Sequence, residues 1–95
     1  MISFTVRMTV DSKDLEEVSA ILRELTAASR HEPGCVSYIP HFVEDESCVV
    51  LIYEQYANEA ALEHHRQSAH FRRFAVEGLY PKVLKREMEM LVALC

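Results

Sequence analysis

The sequence has no tryptophan, two glycines, three prolines and three cysteines. Long apolar runs and an excess of positive charge are also missing. Each scarcity removes a class of protein. Phosphate-cradling loops need several glycines to bring backbone N–H groups against a phosphate. With Gly34 and Gly78 alone, neither G-x-x-x-x-G-K nor G-x-G-x-x-G occurs. Cys35, Cys48 and Cys95 are odd in number and lack metal-ligand spacing, so they read as reduced thiols in a cytoplasmic chain. Nothing approaches the ~20 apolar residues of a membrane-spanning helix. The start of the chain lacks the basic residues of a secretory signal, so no membrane partner is expected. Ten Lys and Arg against fifteen Asp and Glu leave a net charge of −5, the wrong sign for a nucleic-acid partner.

What is present is one domain's worth of patterned chain, residues 1–95, with no repeats or linkers. Ile2, Phe4, Val6, Met8 and Val10 alternate with polar residues, the period of a strand. Leu15, Val18, Leu22, Leu25 and Ser29 follow at spacings of three and four, a helix with one buried stripe. Asp11 or Ser12 caps it, and Glu32-Pro33-Gly34 ends it, glycine supplying a positive φ. Cys35 to Val43 and Cys48 to Tyr56 read as a hairpin around Glu44–Ser47. Asn58 caps a helix through Ala61, Leu62 and His65, and Ser68 restarts it through Phe71, Phe74 and Ala75. Val83 to Leu94 reads as a last strand. The order βαββαβ predicts a ferredoxin-like α+β fold with an antiparallel sheet. A chain this short cannot cover both faces of such a sheet with its own helices, which predicts a homodimer.

Few residues carry candidate chemistry. His65 lies on the same helical face as Ala61 and Leu62, while His64 is rotated off it by about 100°. His65 is therefore either a hydrogen-bonded core histidine or a base at a cavity. His64 and His70 read as surface residues, and His65 and His70, five apart, splay on a continuous helix, so no metal site is expected. Glu54 sits in an apolar strand with Val50 and Ile52 on its face. A charge there requires a partner, or becomes a carboxyl with a raised pKa suited to acid–base work. If Val43 pairs with Cys48, His41 and Glu54 share a face, roughly 13 Å apart at ~3.4 Å per residue. They would then flank one ligand, and a one-residue slip would separate them. Tyr38 and Tyr53 could donate to an oxygen-rich ligand, with Phe71 and Phe74 as an apolar wall.

Arg30, Glu32-Pro33-Gly34-Cys35, Tyr38, Glu54-Gln55-Tyr56, Ala61 to His65 and Ser68-Ala69-His70-Phe71 together resemble the antibiotic biosynthesis monooxygenase family over nearly the whole chain. The resemblance implies a dimeric α+β barrel, in which two sheets pack together with the helices outside. It implies a cavity between sheet and helices, with His65 and Glu54 beside it as catalytic residues. Members of this kind include cofactor-free oxygenases of phenols and quinols, which deprotonate the substrate so that it reacts directly with dioxygen. Others are an isomerase of a small hydroxyketone and haem-degrading proteins. The chain departs from the haem group in lacking tryptophan and in carrying Phe74-Ala75 where the haem-ligating histidine is expected. The implied function is a cofactor-independent monooxygenase of a phenolic, quinol or enolisable small molecule. The alternatives are an isomerase using the same acid–base pair and a non-catalytic small-molecule-binding protein.

Overall fold

The computed structural model describes all 95 residues, Met1–Cys95. Four strands form one antiparallel sheet: β1 (Ile2–Val10), β2 (Cys35–Val43), β3 (Glu46–Tyr56) and β4 (Val83–Leu91), in the order β2-β3-β1-β4. Helix α1 (Leu15–Arg30) links β1 to β2, and α2 (Glu59–Gln67) with α3 (Phe71–Leu79) links β3 to β4. This is the expected ferredoxin-like arrangement.

Local chemistry sets the helix boundaries. The Asp11 carboxylate accepts from the Lys13 backbone N–H and starts the single tight turn, Ser12–Asp14, that leads into α1. Asn58 accepts from the Ala61 backbone N–H at 2.9 Å and caps α2. At Ser68 the backbone swings to an extended ψ of 153° and α2 stops. The Ser68 hydroxyl then donates to the His65 carbonyl at 2.7 Å and accepts from the Phe71 N–H at 3.1 Å, so one side chain closes α2 and opens α3. Helix α3 is wound in wide, π-type turns.

All the helices lie on one face of the sheet. Met8, Val10, Val50 and Ile52 of the sheet pack against Val18, Leu22 and Leu25 of α1 and against Ala75 and Leu79 of α3. A smaller cluster joins Phe4 and Tyr56 to Leu62 of α2. The opposite face carries Ser3, Thr5, Arg7 and Thr9 beside Ile39, Leu51, Tyr53 and Gln55, by the alternation of paired residues. It is mixed rather than apolar. Exposed apolar side chains gather instead on β4 and beyond it, at Leu84, Met88, Met90, Leu91, Val92 and Leu94.

Three details differ from the sequence reading. In the hairpin, Val43 pairs with Glu46 around Glu44-Asp45, and the register then shifts so that Phe42 faces Val50, His41 faces Leu51 and Tyr38 faces Glu54. Asp45 takes a left-handed φ of 66°, which a short polar side chain tolerates. The shift moves the pairing by one residue and puts His41 on the face opposite Glu54. Gly34 does not have a positive φ. Its role is close approach, because a Cβ there would lie 2.3 Å from the Ala61 Cβ, so the turn before β2 packs directly on α2. The last strand ends at Leu91.

Candidate active site

Helix α2 buries one stripe, Leu62 and His65, while His64 is exposed. His65 retains 2% of its surface. Its Nδ1 lies 2.8 Å from Oε2 of Glu32, and its Nε2 lies 3.8 Å from Oε1 of Glu54. Both ring nitrogens therefore face carboxyl groups, but only Glu32 is within hydrogen-bond reach. The carboxyl group hydrogen-bonded to the ring is thus that of Glu32, and Glu54 faces the other nitrogen.

Glu32 sits in the turn after α1. Its backbone N–H donates to the Ser29 carbonyl at 3.0 Å, and its carbonyl accepts from the Cys35 N–H at 3.1 Å. This bend points the side chain under α2, where Glu32 is 8% exposed. Nε2 of His70 approaches the same Oε2 at 2.5 Å. The break at Ser68 explains why His70 is not the surface residue expected of it. A continuous helix would splay His65 and His70, but the extended residue between them turns His70 back toward Glu32. As a carboxylate, Glu32 accepts from both rings, which places the His65 proton on Nδ1 and leaves the Nε2 lone pair toward Glu54.

Donor atoms of Glu32, His65 and His70 lie within 4.8 Å of one another, a set that could also hold a metal ion. The separations from Glu32 Oε2, 2.5 and 2.8 Å, are shorter than the ~3.3 Å between ligands placed ~2.0–2.1 Å from a tetrahedral metal. As they stand, they are hydrogen-bond distances.

Glu54 projects from β3 on the helix-bearing face and is 6% exposed. The Tyr56 hydroxyl donates to its Oε1 at 2.6 Å. Burial pushes the Glu54 carboxyl up to about 7, against the opposing pull of the Tyr56 hydrogen bond and the Arg66 charge. Burial also lowers the His65 pKa, although the hydrogen bond to Glu32 works the other way. The result is a largely neutral imidazole beside a carboxyl poised near neutrality. Burial likewise raises Tyr56 and Tyr38, which keeps both phenols protonated.

His65 and Glu54 lie at one cleft of about 260 Å³ between the sheet and α2–α3. Phe4, Val6, Leu62, Phe71, Tyr80 and Met88 form its apolar walls, with Arg66 and Arg86 beside them. Phe71 lines the cleft, its ring centroid 5.2 Å from that of His65. Tyr38 is buried behind the imidazole at 5.8 Å and does not line the cleft. Phe74 packs against the main core under the Arg73 guanidinium and is not a wall of the cleft. Tyr53 pairs with Thr5 and Ile39 and so belongs to the opposite face. His41 is exposed, with Nδ1 3.3 Å from the Leu51 carbonyl, and it borders a separate groove of about 180 Å³ with Ser19, Leu22 and Arg23. That groove contains no buried ionisable side chain, so the His65–Glu54 cleft is the candidate site.

Sequence reasoning gave Glu32 and Arg66 no place at the cleft and took His70 for a surface residue. Glu32 was visible only as part of the Glu32-Pro33-Gly34 turn, and no periodicity marks a turn residue as buried.

Fold and site together define a small α+β protein with a buried histidine and a buried glutamate lining a cleft between sheet and helices. The chain belongs to the antibiotic biosynthesis monooxygenase family, whose model matches residues 1–77. It is 31% identical over 90 residues to the uncharacterized protein sll1783 of Synechocystis, a match covering 95% of this chain and 58% of that protein. The chain thus spans little more than half the length of this relative. Among solved structures, it is similar to an antibiotic biosynthesis monooxygenase-type protein of Bacteroides thetaiotaomicron, with a TM-score of 0.92 and 30% identity over 99% of this chain and 90% of that one. PA3566 from Pseudomonas aeruginosa matches with a TM-score of 0.87 and 29% identity over 99% and 94%.

Proposed function

We propose that the protein is a cofactor-independent monooxygenase of a phenolic, quinol or otherwise enolisable small molecule. The observation that carries this reading is the orientation of His65: Glu32 occupies Nδ1, so the Nε2 lone pair is free at the buried end of an apolar cleft. A neutral imidazole so placed takes a proton from an acidic O–H or C–H. The resulting anion is electron-rich and is oxidised by dioxygen. For an activated CH₂, one oxygen atom becomes the carbonyl of the product and the other leaves as water. The substrate supplies all four electrons, so no external reductant is needed. Glu54, carrying a proton near neutrality, returns one to the departing oxygen. Membership of a monooxygenase family supports the reaction class.

A second reading rests on the 3.8 Å separation of His65 Nε2 and Glu54 Oε1. Two proton-exchanging groups on one cleft suit an isomerase of a small hydroxyketone, in which one removes a proton and the other replaces it at the neighbouring carbon. Oxygen uptake with a quinol panel separates the two. Uptake supports the monooxygenase. Substrate-dependent proton exchange without uptake supports the isomerase, and tight binding with neither leaves a binding protein.

The working unit we propose is a homodimer. The apolar side chains left exposed at the end of β4 and after it, Leu91, Val92 and Leu94, support a second copy as the cover.

A further inference from the structure

Two side chains at the cleft take no part in proton transfer, Arg66 on α2 and Arg86 on β4. Most other cations of the chain are engaged. Arg7 pairs with Glu46, Arg72 with Glu77, Lys82 with Glu17 and Lys85 with Glu87. Arg30 donates to the Tyr38 carbonyl, and Arg73 covers Phe74. Arg66 and Arg86 form no ion pair, although the chain has fifteen acidic residues against ten basic ones. Lys13 and Arg23 are free as well, but neither borders this cleft. The two arginines are exposed, and they border the cleft from different elements, Arg66 from α2 and Arg86 from β4. The Arg86 guanidinium lies 4.5 Å from the Tyr80 ring centroid. That cation–π contact holds the guanidinium over the ring while its N–H groups remain able to donate to a partner. Every other wall group except His65 and Glu54 is apolar or aromatic.

We infer that the cleft selects an anionic substrate: a ring compound whose hydroxyl or acidic carbon reaches His65 and whose single carboxylate or phosphate group is held at the mouth by Arg66 and Arg86. The inference rests on the proposed function for what happens at the His65 end, but the anion site stands on the arginines alone. The arrangement also sets the direction of entry. Glu54 ionises near neutrality and repels an anion from the buried end, while the guanidiniums attract it at the mouth. The ring therefore enters with its uncharged, proton-donating side first. Arginine suits the task because its planar fork matches carboxylate and phosphate oxygens.

The test compares gentisate with hydroquinone, which differ by one carboxylate, in anaerobic calorimetric titrations at low salt. Gentisate should bind about tenfold or more tightly, as expected for one charge-assisted contact at a half-exposed site. The preference should shrink as salt rises and vanish in the Arg66→Gln/Arg86→Gln double variant, with folding checked by circular dichroism. Equal affinities, no binding of gentisate, or a preference that survives in a folded double variant each overturn the inference. Parallel titrations with benzoate and phenyl phosphate assign the anion, the tighter one naming the group. Turnover separates this inference from the functional reading. Gentisate that binds through the arginines without oxygen uptake or proton exchange sinks the catalytic reading alone. Oxygen uptake with hydroquinone and gentisate bound equally well sinks the anion site alone.

Discussion

Nδ1 of His65 lies 2.8 Å from Oε2 of Glu32, a residue of the turn between α1 and β2, and this bond determines which nitrogen of the ring faces the cleft. A histidine on an apolar helix face is often only a packed core residue. Here one nitrogen is occupied by a buried carboxylate and the other is presented to a cavity, the arrangement of a base with its orienter.

The first prediction follows from that pair. His65→Ala should lower turnover by ~10²–10⁴, the usual contribution of a positioned general base. His64→Ala, on the exposed side of the same helix, should change little. Steady-state rates of the two variants, with folding checked by circular dichroism, decide the matter. Equal rates would return His65 to a packing role.

Replacing the orienter should change the pH profile as well as the rate. Glu32 raises the His65 pKa by hydrogen bonding and by charge. Glu32→Gln removes the charge, so the pKa should fall. The neutral imidazole then persists to lower pH, and the acid limb of kcat/KM moves to lower pH. The plateau should drop at the same time, because the ring is held less firmly. An unmoved acid limb would show that Glu32 only packs.

Glu54 makes stability depend on pH. Its pKa is about 7 in the fold against 4.5 for the free group, so the folded state holds a proton that the unfolded state has lost between those values. Stability should fall as pH rises from about 4.5 to 7 and level off above, by roughly 3 kcal/mol at most for this group at 1.36 kcal/mol per unit. Glu54→Gln, never charged, should lack this fall and should be the more stable protein at pH 8. Urea denaturation at pH 5 and pH 8 reads both arms.

Gly34→Ala should destabilise by roughly 1–3 kcal/mol, the usual cost of forcing a methyl into a packed contact. For a domain this small that is ~4–8 °C in Tm for each kcal/mol. Calorimetry of the variant checks it. An unchanged Tm would mean that the turn and α2 separate easily.

Sedimentation at micromolar concentration should give twice the monomer mass. A stable monomer would leave the exposed apolar side chains of β4 without the cover we propose.

The fold was legible because its signals are periodic. The alternation of β1 and the stripe on α1 each repeat often enough to outweigh a local ambiguity. The helical phase of His65 and the apolar surroundings of Glu54 were read the same way. The hairpin register was not legible, since it depends on one left-handed residue, Asp45, and a slip there moves His41 to the other face. Glu32 and His70 were hidden for a related reason. Their positions come from a turn and from the extended Ser68, and irregular backbone has no period to read. Tyr53 and Phe74 show a different limit, because aromatic character does not say which face or which core a ring belongs to.

The site also has an order of assembly. Both carboxylates, Glu32 and Glu54, lie ahead of both imidazoles, His65 and His70, in the chain. The pairings of β1 with β3 and of β2 with β3 can form before α2 docks, so the acids stay hydrated and cheap to ionise until that docking occurs. Closing α2 over them is the step that removes their water, and it supplies the imidazole partners in the same movement. At high pH this closure must desolvate charge, and at low pH it need not. The groups gathered at the cleft therefore oppose the docking of α2 when they are charged and permit it when they are not.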